Sequence, residues 1–388
     1  MVEVRIDEMT ITLSPTDELL NSPNHRWIDI ASIILNEAED RLCLTAIFGE
    51  RQQSSKGISG YSVGFKYGDH QFLFMLCFHP KYAKMGVLLK FSAQALDFYQ
   101  EQTNLFVYEI LQNLVSENYK VRCSRIDIAI DFINEGINIT DIYNDYLNQK
   151  LIINAIRERN GECEFVTKKY EAKGLFTEKE CETVYFGKRD SPAMLRIYNK
   201  KKEQIDKKGT RLSEALECED WVRFEAEAKH DYAHKLTEKL LLIKDDTEYK
   251  ELILGFFIQK FYFVTLENDN YIETLFMKKI IELKNNKGIT LIKTNNSKNM
   301  DLMINILHIF RTSGTISTLY KIMSIWGLEA IKDFEKIITD YVNKNYYPNA
   351  DCVNFLKQNA NEYKSIYPDF KTFFEDEIIP ELEDETSS

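Results

Sequence analysis

Three short segments carry residues whose type and spacing could do chemistry on a phosphate. The first is Arg125-Ile126-Asp127-Ile128-Ala129-Ile130-Asp131-Phe132. Alternate residues of a strand share a face, so Arg125, Asp127, Ala129 and Asp131 stand together while the isoleucines and Phe132 bury the other side. Two carboxylates separated only by an alanine repel each other unless a cation sits between them. A hard divalent ion, Mg2+ or Mn2+, prefers oxygen ligands and would suit that face. The alternative is a solvated face with Arg125 as counter-ion.

The second segment, Trp221-Val222-Arg223-Phe224-Glu225-Ala226-Glu227-Ala228-Lys229, repeats the pattern. Arg223, Glu225, Glu227 and Lys229 share one face, and as a neighbour of the first strand it would supply a third ligand. The third runs from Thr183 to Glu203 and reads as a hairpin around the Gly187–Pro192 turn. It sets Arg196, Tyr198 and Lys200 on one face of its second strand. A phenol beside two cations is placed to attack phosphate, since positive charge favours the phenolate and binds the backbone. Half-buried packing is the ordinary role of such a tyrosine.

The elements that must position these residues read as α+β for roughly the first 240 residues. Strands are expected at 2–13, 60–66, 70–79, 86–91, 121–132, 162–168, 182–187, 193–199 and 221–228. Helices are expected at 27–38, 93–119 and 140–147. The strands lie close together in sequence, which predicts an antiparallel sheet with flanking helices. Everything after about residue 245 is helix-rich and dotted with lysine. The expected organisation is an N-terminal α+β part at 1–120, a catalytic core at 121–244, a helical region at 245–367 and an acidic tail at 368–388.

The 388 residues carry a net charge of −12, which at first argues against a nucleic-acid partner. The distribution of that charge points the other way. Residues 369–388 hold eight acids and one lysine, whereas residues 181–210 hold eight bases and four acids. A locally basic surface on an acidic chain predicts salt-sensitive DNA binding. The seven cysteines are scattered without a CxxC, which suggests neither a disulfide framework nor a zinc site and reads as buried thiols. The six histidines include no HxH pair. No apolar run is long enough to span a bilayer, and the first residues lack the pattern of a signal peptide. A cytoplasmic location follows as the expectation.

In their order and content, R-x-D-x-A-x-D, then Y-F-G-x-R-x-S with R-x-Y-x-K, then R-x-E-x-E, the segments resemble the replication initiation factor family (Rep_trans type). That family includes rolling-circle initiators of plasmids and phage-related elements and some conjugative relaxases. The likeness covers Arg125 to Lys229. It implies that Tyr198 is a nucleophile with Lys200 and Arg196 as its cationic neighbours, and that Asp127, Asp131 and Glu225 hold Mg2+ or Mn2+. It implies too that Tyr198 stays joined to the 5′ phosphate and frees a 3′ hydroxyl, which a polymerase extends. Arg125, Lys188, Arg189 and Arg223 would steer the DNA backbone, and Tyr185 is the fallback nucleophile. The partners implied are origin DNA, both as duplex and as an extruded single-stranded hairpin, a host helicase and polymerase, and a second copy of the chain. The 245–367 region would read the duplex, with Arg311 to Ser317 as a candidate recognition element or a plain capped helix start. Rival readings are a conjugative relaxase, a polymerase-like palm that gives Tyr198 no task, and a non-catalytic DNA-binding regulator.

Overall fold

A computed structural model describes residues 1–23, 26–68, 74–159, 162–178, 180–267, 270–284, 292, 302–311, 314–348, 350–379 and 382. Residues 70–73 of the strand expected at 70–79, Thr312 and Ser313 of the candidate recognition element, and the tail from 383 onward lie outside them. The chain divides into two compact units, Met1–Thr294 and Asn295–Ser388.

The strands of the first unit are β1 (Val2–Pro15), β2 (Arg51–Ser54), β3 (Val63–Tyr67), β4 (Phe74–Phe78), β5 (Val87–Phe91), β6 (Tyr119–Ile133) and β7 (Leu151–Arg159). They continue as β8 (Glu162–Thr167), β9 (Ala172–Thr177), β10 (Glu180–Phe186), β11 (Ala193–Asn199), β12 (Trp221–Lys229), β13 (Tyr262–Glu267) and β14 (Asn270–Glu273). Among the described residues, ten of them form one sheet in the order β2-β3-β4-β5-β1-β6-β12-β11-β10-β9. Every pairing in it is antiparallel, as the hairpin-length connections predicted. A smaller antiparallel sheet runs β14-β13-β7-β8. The two longest strands, β1 and β6, pair along nearly their whole length at the centre.

One face of the central strands is apolar. Ile126, Ile128, Ile130 and Phe132 of β6, Phe224, Ala226 and Ala228 of β12, and Leu195 and Ile197 of β11 are all buried. They share a core with the helices Asp231–Leu240 and Asp246–Lys260, through residues such as Leu236, Ile253, Phe256 and Phe257. Each large apolar side chain sealed in this way contributes about 1.5–3 kcal/mol. The other face of the same strands holds the charged residues and has to be stabilised differently.

Two bulges shape the central pair. In β1 the spacing of core residues slips from Ile6 to Met9, and Asp7 has no partner in the register with β6. In β6 the slip falls at Ser124. Each bulge leaves a neighbouring amide to be satisfied by a helix hydroxyl. The buried Ile6 N–H donates to Tyr249 Oη at 3.0 Å, and the buried Cys123 N–H donates to Thr237 Oγ1 at 2.9 Å.

Several expectations about the elements need correction. The helix expected from 93 to 119 is two, Ala93–Thr103 and Val107–Asn113, and Tyr119 already belongs to β6. Asn104 ends the first in the left-handed region at φ 56°, which a short amide side chain tolerates. Glu109 then accepts the Phe106 N–H at 2.7 Å to start the second. The stretch after 245 is not all helical: β13 and β14 form a hairpin in it, and with the helix Asp246–Lys260 they belong to the first unit. Lys200 does not continue β11 but opens the helix Lys200–Lys207, capped by the Asn199 side chain on the Lys202 N–H. The second unit is helical, with helices Leu302–Arg311, Thr315–Trp326, Glu329–Asn345 and Ala350–Ile366 and a small core of Ile306, Leu307, Phe373 and Ile378.

Tyr249→Phe removes the acceptor of a buried amide and little else. The expected cost is about 1–3 kcal/mol, read as a lower urea midpoint at unchanged slope. A change within error would mean the Ile6 amide is satisfied another way.

Candidate active site

The strand register arranges the polar face in three rows. Tyr198 of β11 stands opposite Arg223 of β12, which faces Asp131 of β6, which faces Glu3 of β1. The next row is Arg196, Glu225, Ala129 and Arg5, and the next is Met194, Glu227, Asp127 and Glu8. Directly opposed residues share a face, so the sequence motifs do meet on one surface. Ala129 is the small residue of the middle row, leaving room beside it for the longer Glu225 and Arg5 side chains.

The first row is tied to the bulge. Arg223 is fully buried and donates from Nε and Nη2 to the two oxygens of Asp131 at 2.7 and 2.6 Å, and from Nη1 to Asp7 Oδ1 at 2.5 Å. Trp221 Nε1 adds a bond to Asp131 Oδ1 at 2.8 Å, and Arg211 reaches Asp131 at 3.5 Å while lying over the Trp221 ring. Burial alone would raise the pKa of Asp7 and Asp131. Burial is the largest single influence, but the charge and hydrogen bonds of Arg223 together with the Arg5 charge outweigh it and hold both carboxyls below the usual carboxylate range. These partners change the expected roles of two residues. Asp131, expected to hold a metal, is the acceptor of Arg223, Trp221 and Arg211. Arg223, expected to steer DNA, is sealed from solvent and committed to two acids.

The second row supplies the partners of the phenol, which itself stands at the end of the first row. Tyr198 Oη donates to Glu225 Oε2 at 3.1 Å, and Lys200 Nζ lies 3.5 Å from Tyr198 Oη. The Arg196 guanidinium bonds both Glu225 oxygens at 2.7 Å and stacks over the Tyr198 ring at 4.4 Å from its centre. Lys200 pairs with Glu203 at 2.5 Å. The phenolate is not favoured here, against expectation. Burial and the Glu225 charge push the Tyr198 phenol well above its ordinary value of 10.0, and Arg223 offsets them only in part. Burial and Arg223 also lower the pKa of Lys200. The resting hydroxyl is therefore protonated and already hydrogen-bonded to a carboxylate.

The third row is a carboxylate cluster. Arg125 Nε and Nη2 bond Asp127 Oδ1 and Oδ2 at 2.8 and 2.6 Å, and Nε lies 2.9 Å from Glu227 Oε1. Lys229 holds the other oxygen of Glu227 at 2.8 Å. Burial, together with Glu225 and Glu227, still pushes Asp127 up to about 8, although Arg125 opposes the shift. Among the described residues no three acids, histidines or cysteines converge as a ready metal cage. The donor chemistry, three buried carboxylates, is nevertheless that of a hard divalent cation, although Arg125, Arg196 and Lys229 each already pair with one of them. Asp127, Glu225 and Glu227 are the residues that could hold one.

Lys188 and Arg189 lie exposed in the turn between β10 and β11, and the Arg189 carbonyl accepts Lys229 Nζ. Tyr185 of β10 stands opposite Arg196, one strand beyond Tyr198. Sequence reasoning missed Asp7, Trp221 and Arg211. Asp7 had a visible signal, since Asp7-Glu8 interrupts the alternation of the first strand. Arg211 had none.

A family model described as replication initiation factor matches residues 121–342. Among solved structures, a rolling circle replication initiator protein from Geobacillus stearothermophilus matches with a TM-score of 0.53 and 17% identity. The alignment covers 74% of this chain and 97% of that one, and at this identity the likeness is one of fold. None of the curated proteins compared with the chain matches it.

Two outcomes follow from the geometry. Arg223→Met strands two buried carboxylates and is expected to cost about 3–5 kcal/mol in denaturant unfolding. The folded pKa values of Asp7 and Asp131 are depressed, so their stabilisation is present above the unfolded carboxylate pKa of about 4 and is lost as pH falls below it. Arg223→Met should flatten that acid limb. Separately, Glu225→Gln should lower the Tyr198 phenol toward, without reaching, its ordinary value, because burial remains. The difference in ultraviolet titration between Glu225→Gln and Glu225→Gln/Tyr198→Phe isolates it, and an unmoved curve would remove Glu225 from the phenol's surroundings.

Proposed function

Because the chain belongs to the replication initiation factor family, we propose that it starts rolling-circle replication by nicking one strand of an origin with Tyr198. The observation that carries the reading is the Tyr198 hydroxyl, hydrogen-bonded to Glu225 between the cations Arg196 and Lys200.

In this reading Glu225 takes the phenolic proton as Tyr198 Oη attacks the scissile phosphorus. The bond from phosphorus to the 3′ oxygen breaks, the 3′ oxygen takes up a proton from solvent water, and the 5′ phosphate remains on Tyr198. The ester is exchanged rather than hydrolysed, so the strand can be rejoined by the reverse step, with Glu225 returning the proton. Arg196 is about one-third exposed and lies over the phenol, which places its guanidinium where an incoming phosphate meets it first. Lys200 adds positive charge beside the hydroxyl and thereby favours the transition state over the resting phenol. A divalent ion held by Asp127, Glu227 and Glu225 would supply charge that offsets the growing negative charge on the phosphate oxygens. Asp131 and Arg223 position this apparatus without touching substrate.

Lys188, Arg189 and Arg125 remain candidates for backbone contacts, and the helical unit for reading the origin duplex. The extruded hairpin, the helicase, the polymerase and a second copy are the partners this role calls for. Among the described residues no helix is long and apolar enough to cross a membrane.

The test is a denaturing gel of protein incubated with labelled single-stranded oligonucleotides or its supercoiled replicon, with Mn2+ or with EDTA. An adduct should form with Mn2+ and vanish in Tyr198→Phe. Glu225→Gln should slow its formation by about 10²–10⁴-fold. An adduct that persists in Tyr198→Phe moves the chemistry to another residue, and none on any substrate rejects the nicking role.

A further inference from the structure

We propose that Arg125 is a built-in counter-cation for the Asp127–Glu227 end of the carboxylate row, and that a divalent ion must displace it to bind. Arg125 would then set the metal affinity of the site. The inference rests on the reading of this row as the metal-binding part of a nicking centre.

Arg125 engages the carboxylate oxygens that a divalent ion would need. Its fork takes both oxygens of Asp127, at 2.8 and 2.6 Å, and its Nε reaches Glu227 at 2.9 Å. Asp127 and Glu227 are directly opposed on neighbouring strands, so one guanidinium bridges the pair. The acids are nearly sealed, with side chains 2% and 7% exposed, while that of Arg125 is 34% exposed. A cation approaching Asp127 therefore finds both oxygens already bonded, with the guanidinium at the solvent side.

The other cations of the site are fixed in ways that Arg125 is not. Arg223 has a fully buried side chain and is clamped by two acids. Lys229 is anchored on the Arg189 carbonyl as well as on Glu227, so Glu227 keeps a partner when Arg125 leaves. Arg196 is engaged with Glu225 and the Tyr198 ring. Arg125, by contrast, has an alternative acceptor nearby. Its Nη1 lies 3.7 Å from Glu8 Oε1 on β1, a carboxylate otherwise paired with Lys90. A side chain already one-third in solvent can exchange Asp127 for Glu8 with little added desolvation. A ligand that binds only when Arg125 has moved sees its affinity reduced by the fraction of time the site is open.

The experiment measures Mn2+ binding without DNA, by calorimetry and by loss of the free-ion paramagnetic resonance signal, in wild type, Arg125→Gln and Arg125→Lys. Arg125→Gln should bind Mn2+ about tenfold tighter or better, because the competing fork is gone. Arg125→Lys keeps the charge without the fork and should fall between. Asp127→Asn should weaken binding in each background. Damage to the fold would weaken binding, so a gain cannot come from it. If Arg125→Gln does not fold, Arg125→Lys decides alone by binding tighter than wild type or failing to. Equal or weaker affinity in the variants overturns the proposal. Absence of Mn2+ binding in every protein overturns it too, whereas the Tyr198 adduct reports on the nicking role independently.

Discussion

A single buried cation, Arg223, determines how the polar face of this sheet can exist at all. Its guanidinium joins Asp131 of β6 to Asp7 of β1 from a position on β12, with no exposure to solvent. Isolated, any of the three charges would be costly to bury; together, with Arg5 beside Asp7 and Arg211 beside Asp131, they form a hydrogen-bonded strut across three strands. The bulge at Asp7 exists in that context, because it turns an extra carboxylate toward the arginine. The helix Asp246–Lys260 in turn supplies the Tyr249 hydroxyl that satisfies the amide next to the bulge. Core packing on one face and the charged strut on the other are thus coupled through one irregular residue.

The chemistry sits beside the strut rather than within it. Tyr198 lies opposite Arg223, and Glu225, two residues along β12, accepts its hydroxyl. The β11–β12 register fixes the phenol relative to its carboxylate partner, and the β6–β12 register fixes the row of acids beyond relative to both. The resting state is held back electrostatically. The phenol is protonated, its carboxylate is covered by Arg196, and Asp127 is covered by Arg125. In the proposed nicking reaction an arriving phosphate and cation would have to change each of these pairings.

Much of this was legible because strands alternate. The period of two in Arg125–Phe132 and Trp221–Lys229 places the acids on one face, and the register confirms that those faces coincide. The antiparallel sheet followed from short connections between strands. What alternation could not reveal was which acid pairs with which base. Asp127 and Asp131 look equivalent in sequence, yet one meets a partly exposed arginine of its own strand and the other a buried arginine of its neighbour. Arg211 comes from an irregular stretch after the helix Lys200–Lys207 and carries no periodic signal. The Tyr198 phenol escaped the sequence pattern for a related reason: neighbouring bases along the chain suggest a phenolate, whereas burial and Glu225 dominate in space. The split of the expected helix at Asn104 depended on one left-handed residue, and the β13–β14 hairpin lies in a stretch whose composition matches its helical surroundings.

The central claim is that this surface exists to put a covalent bond between DNA phosphate and one tyrosine. Its most direct test is mass spectrometric mapping of the linkage after nuclease trimming and protease digestion of the protein–DNA adduct. The account predicts a nucleotide mass on the peptide that contains Tyr198 and on no other. A nucleotide on the peptide that contains Tyr185, or on a residue outside β11, would contradict it.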